Sequence, residues 1–314
     1  MDYSGTMRRG WDITWRNKWL ILLTLIPLLV MVLTLPMALA GRMIDPAAAP
    51  EEIIAAAGRS LLLSCVSLIL YLVSMFLNLL AHSGRIAGVA RVALGQATNF
   101  GQSVREGWRA LPRLLGLSVL LYGVPLVLFI VVILLILVPV TAAAMTGEQG
   151  QSAIMAGMGT VGIILLCCLY IALLLTFLFV ALIFPFASRG IVLRNLGVMA
   201  SLRHGWRVLR ENLGQIILLA LPFTLLYILF GLIFGGIYFA VAFPEGFQSA
   251  IMRGTGATRS PWLPLAYLVY LLPATLLTTW QGATVTLGYL HWTGKDVLGA
   301  VAGTPDLPPA APLM

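Results

Sequence analysis

Arginine and tryptophan recur together at three places in the chain, and no other grouping of side chains in the sequence is as well suited to chemistry. The three segments are Arg9-Gly10-Trp11, Arg105-Glu106-Gly107-Trp108 and Arg203-His204-Gly205-Trp206. A guanidinium donates hydrogen bonds to phosphate oxygens, and an indole ring prefers the boundary between lipid and water. The chemistry that these segments indicate is non-covalent binding of anionic groups at a membrane surface.

The second and third segments have the spacing of amphipathic helices. Apolar side chains recur at intervals of four, three and four residues, at Val104, Trp108, Leu111 and Leu115 and again at Leu202, Trp206, Leu209 and Leu213. This spacing places them on one helical face. The other face carries arginines, at Arg105, Arg109, Arg113, Arg203, Arg207 and Arg210. We expect these helices to lie in the headgroup plane and bind anionic lipid or a soluble partner. Ordinary membrane anchoring on the cytoplasmic side gives the same pattern.

Patterns typical of catalysis and metal binding are missing from the sequence. The three histidines have neither HExxH spacing nor a neighbouring carboxylate cluster: His82, His204 and His291. The sequence also lacks a Walker phosphate loop and a GxSxG elbow. All three cysteines lie in apolar stretches, where a thiol behaves as a small hydrophobic group: Cys65, Cys167 and Cys168. We therefore predict that the protein is not an enzyme, with no catalytic residue, no metal and no cofactor.

The composition is that of an integral membrane protein. Hydrophobic residues make up 60% of the 314 residues, charged residues make up 10%, and the mean hydropathy is +1.00. An average soluble domain has about 25% charged residues, so this chain has too few charges to solvate a globular surface. The composition excludes a soluble enzyme, a disordered protein and a secreted disulfide scaffold. The net charge of +8 follows from the bias of basic residues toward the cytoplasm, and we expect no nucleic-acid partner.

Six stretches without Asp, Glu, Lys or Arg are long enough to cross a bilayer. A transmembrane helix needs roughly 20 residues, and the stretches predict helices at about 19–40, 60–81, 114–140, 159–187, 214–243 and 262–290. None has an ionisable residue at its centre, which argues against proton-coupled and ion-coupled carriers. The polar residues within these spans are expected to make interhelical hydrogen bonds: Asn78, Tyr122, Thr176, Tyr227 and Gln281.

The distribution of basic residues predicts that both termini are cytoplasmic. Fifteen Lys and Arg residues lie in the N-terminus, the second and fourth connections and the C-terminal tail, against four in the other connections. Such an excess marks the cytoplasmic side. Ala38-Leu39-Ala40 resembles a signal-peptidase site, but the apolar run from Trp19 is longer than the apolar region of most signal peptides. We therefore expect the first helix to be retained.

An internal repeat organises the predicted helices. The glycines Gly10, Gly107 and Gly205 lie 97 and 98 residues apart, each before the first helix of a predicted hairpin. Each of those helices carries a proline 17 or 18 residues after the glycine: Pro27, Pro125 and Pro222. The seventh residue after the glycine is asparagine in two copies and leucine in the middle one: Asn17, Leu114 and Asn212. The sequence therefore predicts an all-α membrane protein of six transmembrane helices in three repeated hairpins, each preceded by a basic interfacial segment.

The predicted organisation is one membrane domain over residues 1–302, with repeats at about 5–100, 101–200 and 201–295. The proline-rich tail, 303–314, is expected to be disordered. Copies with the same orientation are related by an axis along the membrane normal. Proline bends helices, so three bent helices at one depth could surround a shared cavity. Prolines that only adjust helix packing would give the same pattern.

Two stretches carry a resemblance to known proteins. Residues 9–19 (RGWDITWRNKW) and 202–214 (LRHGWRVLRENLG) resemble uncharacterised bacterial multi-pass membrane proteins. They are also similar to the membrane domain that accompanies some glycerophosphoryl diester phosphodiesterases. The acidic and histidine metal ligands of that catalytic domain have no counterpart here. The resemblance therefore implies a protein of the bacterial inner membrane and supplies no active-site residue.

These features predict an integral plasma-membrane protein that acts as a non-catalytic scaffold, a lipid-interacting protein or a membrane subunit of a complex. The parallel repeats and matched prolines favour an alternative, a transporter or permease for a small or amphiphilic solute. The expected partner is membrane lipid, through its anionic headgroups on the cytoplasmic side. A protein partner or a homo-oligomer is also compatible with the sequence.

Overall fold

The computed structural model of the protein describes residues 2–32, 50–123, 125–127, 129–130, 148–253 and 262–302, which are almost entirely helical. Eight α-helices follow one another in these ranges: α1 Tyr3–Arg16, α2 Lys18–Val32, α3 Pro50–Ala93, α4 Phe100–Ser118, α5 Glu148–Arg194, α6 Val198–Glu211, α7 Leu213–Arg253 and α8 Trp262–Ala302. The described residues confirm the all-α class. The predicted tail, 303–314, and the ends of the first and third predicted spans, 33–40 and 131–140, lie outside the described residues.

The length and composition of the helices make this a multi-pass membrane protein. Four helical stretches can cross a membrane: Leu61–Ala93, Phe100–Val127, Tyr170–Arg194 and Leu213–Gly236. A fifth candidate is the pair Tyr3–Arg16 and Lys18–Val30, which is bent by 78°. The sixth predicted span, 262–290, is helical as part of α8 but is not among these candidates. The described residues therefore support four to five spans where the sequence predicts six.

Two helices extend further than the charge-free stretches predict. The prediction ends them near residues 81 and 187, whereas α3 ends at Ala93 and α5 ends at Arg194. A charge-free stretch marks the apolar part of a helix, but arginine is a good helix former and lets the helix continue. Consequently Arg85 and Arg189, predicted in connections, lie inside helices. The small and polar residues near 151–158, predicted as a loop, likewise form the first part of α5.

Asparagine separates a short basic helix from the long apolar helix that follows it in two of the three predicted repeats. Asn17 stands between α1 and α2, and Asn212 stands between α6 and α7. The Asn17 side-chain amide donates to the Ile13 carbonyl at 2.9 Å, in competition with the helical pattern. The asparagine carbonyls then accept from Leu20 and Ile216, both at 2.9 Å, and begin the next helix. A polar side chain at this position therefore ends one helix and starts another.

The middle copy has Leu114 at this position and has no break. The sequence predicts a third span that begins at about residue 114, after a separate basic segment, but α4 runs without interruption from Phe100 to Ser118. Leu114 is fully buried and supplies no competing hydrogen bond. A π-helical turn, Val119–Gly123, follows α4 and ends two residues before Pro125. A proline ring clashes with the carbonyl four residues earlier, and a wider turn at this place relieves the clash.

The chain divides into two compact units. The first contains residues 1–111, 192–194 and 212–314, and the second contains residues 112–191 and 195–211. In the first unit, helices α1, α2, α3 and α8 share a core of Ile13, Leu20, Val89, Ala93, Ala283 and Leu287. In the second unit, the buried side chains of α4, α5 and α6 include Leu117, Ile183, Ile191 and Val208.

Candidate functional site

Each glycine of the three Gly-Trp pairs lies against another helix of the protein. The helices that carry these pairs, α1, α4 and α6, are here called the Gly-Trp helices. The helices that they contact, α8, α3 and α5, are called the return helices, because each is the second helix of a predicted hairpin. Gly10 contacts Thr284 of α8, Gly107 contacts Gly84 of α3, and Gly205 contacts Ala187 of α5. One contact thus occurs three times.

Only glycine fits at these three positions. A Cβ atom on Gly107 would lie 2.9 Å from the Gly84 nitrogen, and one on Gly205 would lie 2.8 Å from the Ala187 nitrogen. A Cβ on Gly10 would lie 3.2 Å from the Thr284 backbone. These are contacts with main-chain atoms, which cannot move aside as a flexible side chain would. The glycines therefore let each Gly-Trp helix approach its return helix at backbone distance.

The face that carries the glycine is the buried face of each Gly-Trp helix. The residues three and four positions after the glycine are buried in all three copies: Ile13, Thr14, Ala110, Leu111, Val208 and Leu209. Two of these correct the sequence prediction, which places Leu111 and Leu209 on the lipid-facing stripe. Both are at most 5% exposed because the small neighbouring residues bring this side of the helix into contact with the protein itself.

The tryptophan of each pair lies at the edge of the same contact and remains exposed. Trp108 is 57% exposed and Trp206 is 46% exposed. Each packs on an aromatic ring of its return helix: Trp108 lies 5.7 Å from Phe76, and Trp206 lies 5.6 Å from Phe179, between ring centroids. Trp11 makes the corresponding contact with Trp280 at 5.2 Å. One edge of each indole is therefore fixed by the protein, and the rest stays available to lipid.

The six predicted binding arginines are all exposed: Arg105, Arg109, Arg113, Arg203, Arg207 and Arg210. Three of them are on α4 with Trp108, and three are on α6 with Trp206. Arg113 differs from the rest, because it donates to the backbone carbonyl of Asn195 at 3.0 Å and also to the Asn195 side-chain oxygen. Asn195 has a positive φ of 53°, so Arg113 holds the turn after α5. Its role is at least partly structural.

The three predicted kink prolines occupy different local environments. Pro27 is buried within α2, and its carbonyl accepts a hydrogen bond from the Ser74 hydroxyl of α3 at 2.9 Å. Pro125 follows the π-helical turn, whereas Pro222 lies half-buried inside α7. The Ser74 bond uses the Pro27 carbonyl in packing between two helices. This supports the packing interpretation for that proline.

A cluster of polar side chains, missed by the sequence, lies between α2, α3, α7 and α8. The Arg85 guanidinium of α3 donates to the Thr24 hydroxyl of α2 at 3.1 Å. Thr24 in turn shares a 2.9 Å hydrogen bond with Thr279 of α8. Both threonines are buried, at 6% and 1% exposure. These residues form the centre of what we call the Arg85 cluster.

Tyr227 of α7 and Gln281 of α8 complete the Arg85 cluster. The Tyr227 hydroxyl donates to the Gln281 side-chain oxygen at 3.0 Å and lies 3.2 Å from the Thr278 hydroxyl. Tyr227 is also close enough to Arg85 for an electrostatic interaction. The sequence predicts interhelical hydrogen bonds for Tyr227 and Gln281, and the structure confirms that they bond to each other across α7 and α8. The sequence does not predict that Arg85 belongs to the same cluster of polar side chains.

Arg85 has no acidic partner among the residues that the structure describes. Its Nε atom is buried and lacks a hydrogen-bond partner. An ion pair does form nearby in sequence, between Arg91 and Glu106, but it does not include Arg85. An arginine inside an apolar helix is normally paired or functional, because an isolated charge in the bilayer is costly. The Arg85 cluster is therefore a second candidate site.

Residues 1–291 match the family described as a domain of unknown function, DUF7847. The chain belongs to this family. No curated protein and no solved structure matches the chain. The three Gly-Trp pairs and the whole Arg85 cluster lie within the residues that match DUF7847, so both sites belong to the region that the family shares.

The structure describes no grouping that resembles a metal site. Across the described ranges, no three His, Cys, Asp or Glu side chains come together to hold an ion. The three cysteines are exposed on the sides of α3 and α5: Cys65, Cys167 and Cys168. The described part of this DUF7847 protein presents exposed guanidinium and indole groups on the Gly-Trp helices, and the half-buried Arg85 guanidinium with its neighbouring hydroxyl groups.

Proposed function

We propose that the protein is a non-catalytic, lipid-interacting protein of a bacterial plasma membrane, which binds anionic headgroups on the cytoplasmic side. The observation that carries this proposal is the division of labour on the Gly-Trp helices. Their glycine face is buried against the protein, while the tryptophan rings stay about half exposed and the arginines of α4 and α6 are exposed. Side chains that the fold does not bury are free to contact lipid.

The bend between α1 and α2 supports an interfacial position for the first Gly-Trp helix. The two helices meet at 78°, so α1 lies close to the membrane plane when α2 crosses the bilayer. Trp11 and Trp15 stack at 5.7 Å and are both exposed, as expected for indoles at the headgroup level. An arginine near an anionic surface contributes about 1 kcal/mol, so several together would retain lipid.

We also propose that the six predicted spans form three repeated hairpins. The recurrence of one contact in three copies supports this arrangement. Helix α4 docks on α3 and α6 docks on α5, in each case on the return helix of the preceding copy. Helix α1, which has no preceding copy, docks on α8, the return helix of the last copy. These recurring contacts support the repeat that the spacing of the glycines predicts.

Binding of anionic lipid can be tested with two variants of equal charge. In the first, Arg105, Arg109, Arg203 and Arg207 are replaced by Gln; in the second, the four arginines of the predicted outer side are replaced: Arg42, Arg59, Arg253 and Arg259. Native mass spectrometry after release from nanodiscs of mixed phosphatidylcholine and phosphatidylglycerol counts the retained lipid. We expect phosphatidylglycerol to be lost from the first variant only. Equal retention by both folded variants would refute the proposal.

The Arg85 cluster favours a second candidate function, transport of a small or amphiphilic solute. Its polar groups lie between helices whose outer faces are apolar, as in the binding sites of many carriers. A protein partner or a homo-oligomer remains an alternative to lipid as the main ligand. Native mass spectrometry of the same sample separates these cases, because a stoichiometric protein partner adds a defined mass.

A further inference from the structure

Arg85 places a positive charge on a largely apolar helix, near the end of a candidate membrane span. It lies within Leu61–Ala93, eight residues before α3 ends. One guanidinium nitrogen contacts Thr24, while Nε is buried and unpartnered. Among the described residues no carboxylate neutralises the charge. Charged side chains within membrane spans are retained where they act on a ligand or a partner charge.

The Arg85 cluster contains hydrogen-bonding groups from four helices, with Arg85 itself on α3 and its neighbours on three others. Thr24 comes from α2, Tyr227 from α7 and Thr279 from α8. The Thr24, Thr279 and Tyr227 hydroxyls donate to the Leu20 carbonyl, the Thr275 carbonyl and the Gln281 side chain, and each can rotate to exchange that bond for one to an incoming oxygen. The guanidinium offers five N–H donors in a fixed fork, one of which is bonded to Thr24. A site with one fixed positive charge and several rotatable donors favours an anion over a metal cation.

We propose that the Arg85 cluster binds a phosphate group, with Arg85 as the counter-charge and the Thr24, Thr279 and Tyr227 hydroxyls as further donors. A carboxylate offers two oxygens in one plane, whereas a phosphate presents its oxygens as a tetrahedron. Donors carried by four helices can approach its oxygens from several sides. Arginine binds phosphate oxygens through two parallel hydrogen bonds, which a lysine cannot make.

The phosphate could belong to a lipid headgroup or to a free anion, and the chemistry of recognition is the same. Binding at Arg85 requires neither the exposed arginines of α4 and α6 nor transport. The surface lipid proposal and the Arg85 proposal can therefore fail separately. The alternative is that Arg85 only holds α2 to α3 through its bond to Thr24.

The test uses the full chain, purified in phosphate-free neutral detergent and titrated in a calorimeter. The probes are inorganic phosphate and dihexanoyl phosphatidic acid, and the variants are Arg85→Gln, Arg85→Lys and Thr279→Val. Arg59→Gln is the matched control, because Arg59 is exposed on the same helix. We expect saturable binding at one site that weakens at least tenfold in Arg85→Gln and severalfold in Arg85→Lys and Thr279→Val. Arg59→Gln and the four-arginine surface variant should bind as the unmodified protein does.

The outcomes separate the two sources of phosphate. Binding of phosphatidic acid alone assigns the site to a lipid headgroup, and binding of both probes assigns it to the free anion. Binding of neither probe by the folded protein, or equal binding by Arg85→Gln, would overturn the proposal. If Arg85→Gln does not fold, Tyr227→Phe and Thr279→Val decide the result, because each removes one hydroxyl and leaves the arginine in place. Undiminished affinity in both would also overturn it.

Discussion

At the scale of single residues, the glycines of the Gly-Trp pairs are the positions where the fold has least room for a larger side chain. A methyl group on Gly107 or Gly205 would lie within 3 Å of backbone atoms of the return helix. The helices would have to separate, and close packing would be lost along the whole contact. Elsewhere in a helix, alanine is preferred to glycine by about 1 kcal/mol. Replacing glycine by alanine should therefore destabilise the protein where the glycine contacts another helix and stabilise it where the glycine has no such contact.

We predict that Gly107→Ala and Gly205→Ala each lower the free energy of unfolding by about 1–3 kcal/mol, the usual range for overpacking. Gly214→Ala is the control, since no atom lies within 4 Å of its added Cβ in α7. It should be neutral or slightly stabilising. Thermal unfolding in detergent, monitored by circular dichroism, ranks the three variants by stability. A stable Gly205→Ala protein would show that the contact with Ala187 is not tight.

At the scale of helices, one side chain decides whether a Gly-Trp helix is separate from its span. Asparagine ends the helix at positions 17 and 212, and leucine at position 114 lets it continue. The asparagine amide bonds to a carbonyl of the preceding turn, which a leucine cannot do. The copies therefore share a sequence pattern but differ in local geometry.

We predict that Asn17→Leu favours a continuous helix and opposes the docking of α1 on α8. Asn17→Leu and Asn17→Gly both lose the side-chain bond to the Ile13 carbonyl, at a cost of about 1 kcal/mol, but glycine still permits the break because it adopts non-helical backbone conformations readily. Pulsed electron paramagnetic resonance measures the distance between spin labels at positions 4 and 29, and this distance depends on the angle between α1 and α2. A second, longer distance is expected in Asn17→Leu alone. An unchanged single distance in that variant would contradict the prediction.

At the scale of the whole molecule, the two ends of the sequence meet in the first compact unit. Helix α1 packs on α8, and the Trp280 indole donates to the Met7 carbonyl at 3.0 Å. These residues are 273 positions apart in the chain. The first Gly-Trp helix therefore reaches its final position only after the last helix has been made. Its glycine face has no partner before that point in folding.

The distribution of basic residues gives a further prediction at this scale, that all Gly-Trp helices face the same side of the membrane. Single cysteines at Ser4, Gln102 and Met199 are introduced after Cys65, Cys167 and Cys168 are replaced by serine. In intact cells of a bacterial host, a membrane-impermeant maleimide should label none of the three until the membrane is opened. Glu148→Cys, in the predicted outer connection, should be labelled at once. Labelling of Met199→Cys in intact cells would contradict the predicted topology.

Much of the architecture follows from properties that local sequence carries. Apolar composition and the positions of charges predict membrane helices, and the Gly-Trp spacing predicts three related segments that turn out to make related contacts. The limits of this information are visible at the helix ends. Charges mark where apolar sequence stops, but the backbone of α3 continues to Ala93 because arginine and alanine sustain a helix. For this reason the sequence places Arg85 in the connection after the second span, whereas the structure places it within α3.

The sequence by itself determined that this is a helical membrane protein with exposed arginines and tryptophans on basic amphipathic helices. Those features depend on composition and on spacing within one or two helical turns. Only the tertiary structure decided that the glycine face, with Leu111 and Leu209, docks on the protein. It also decided that the Arg85 guanidinium bonds to the Thr24 hydroxyl, 61 positions away in the chain. Such contacts join residues far apart in the chain, and their formation depends on how whole helices pack, which no local pattern records.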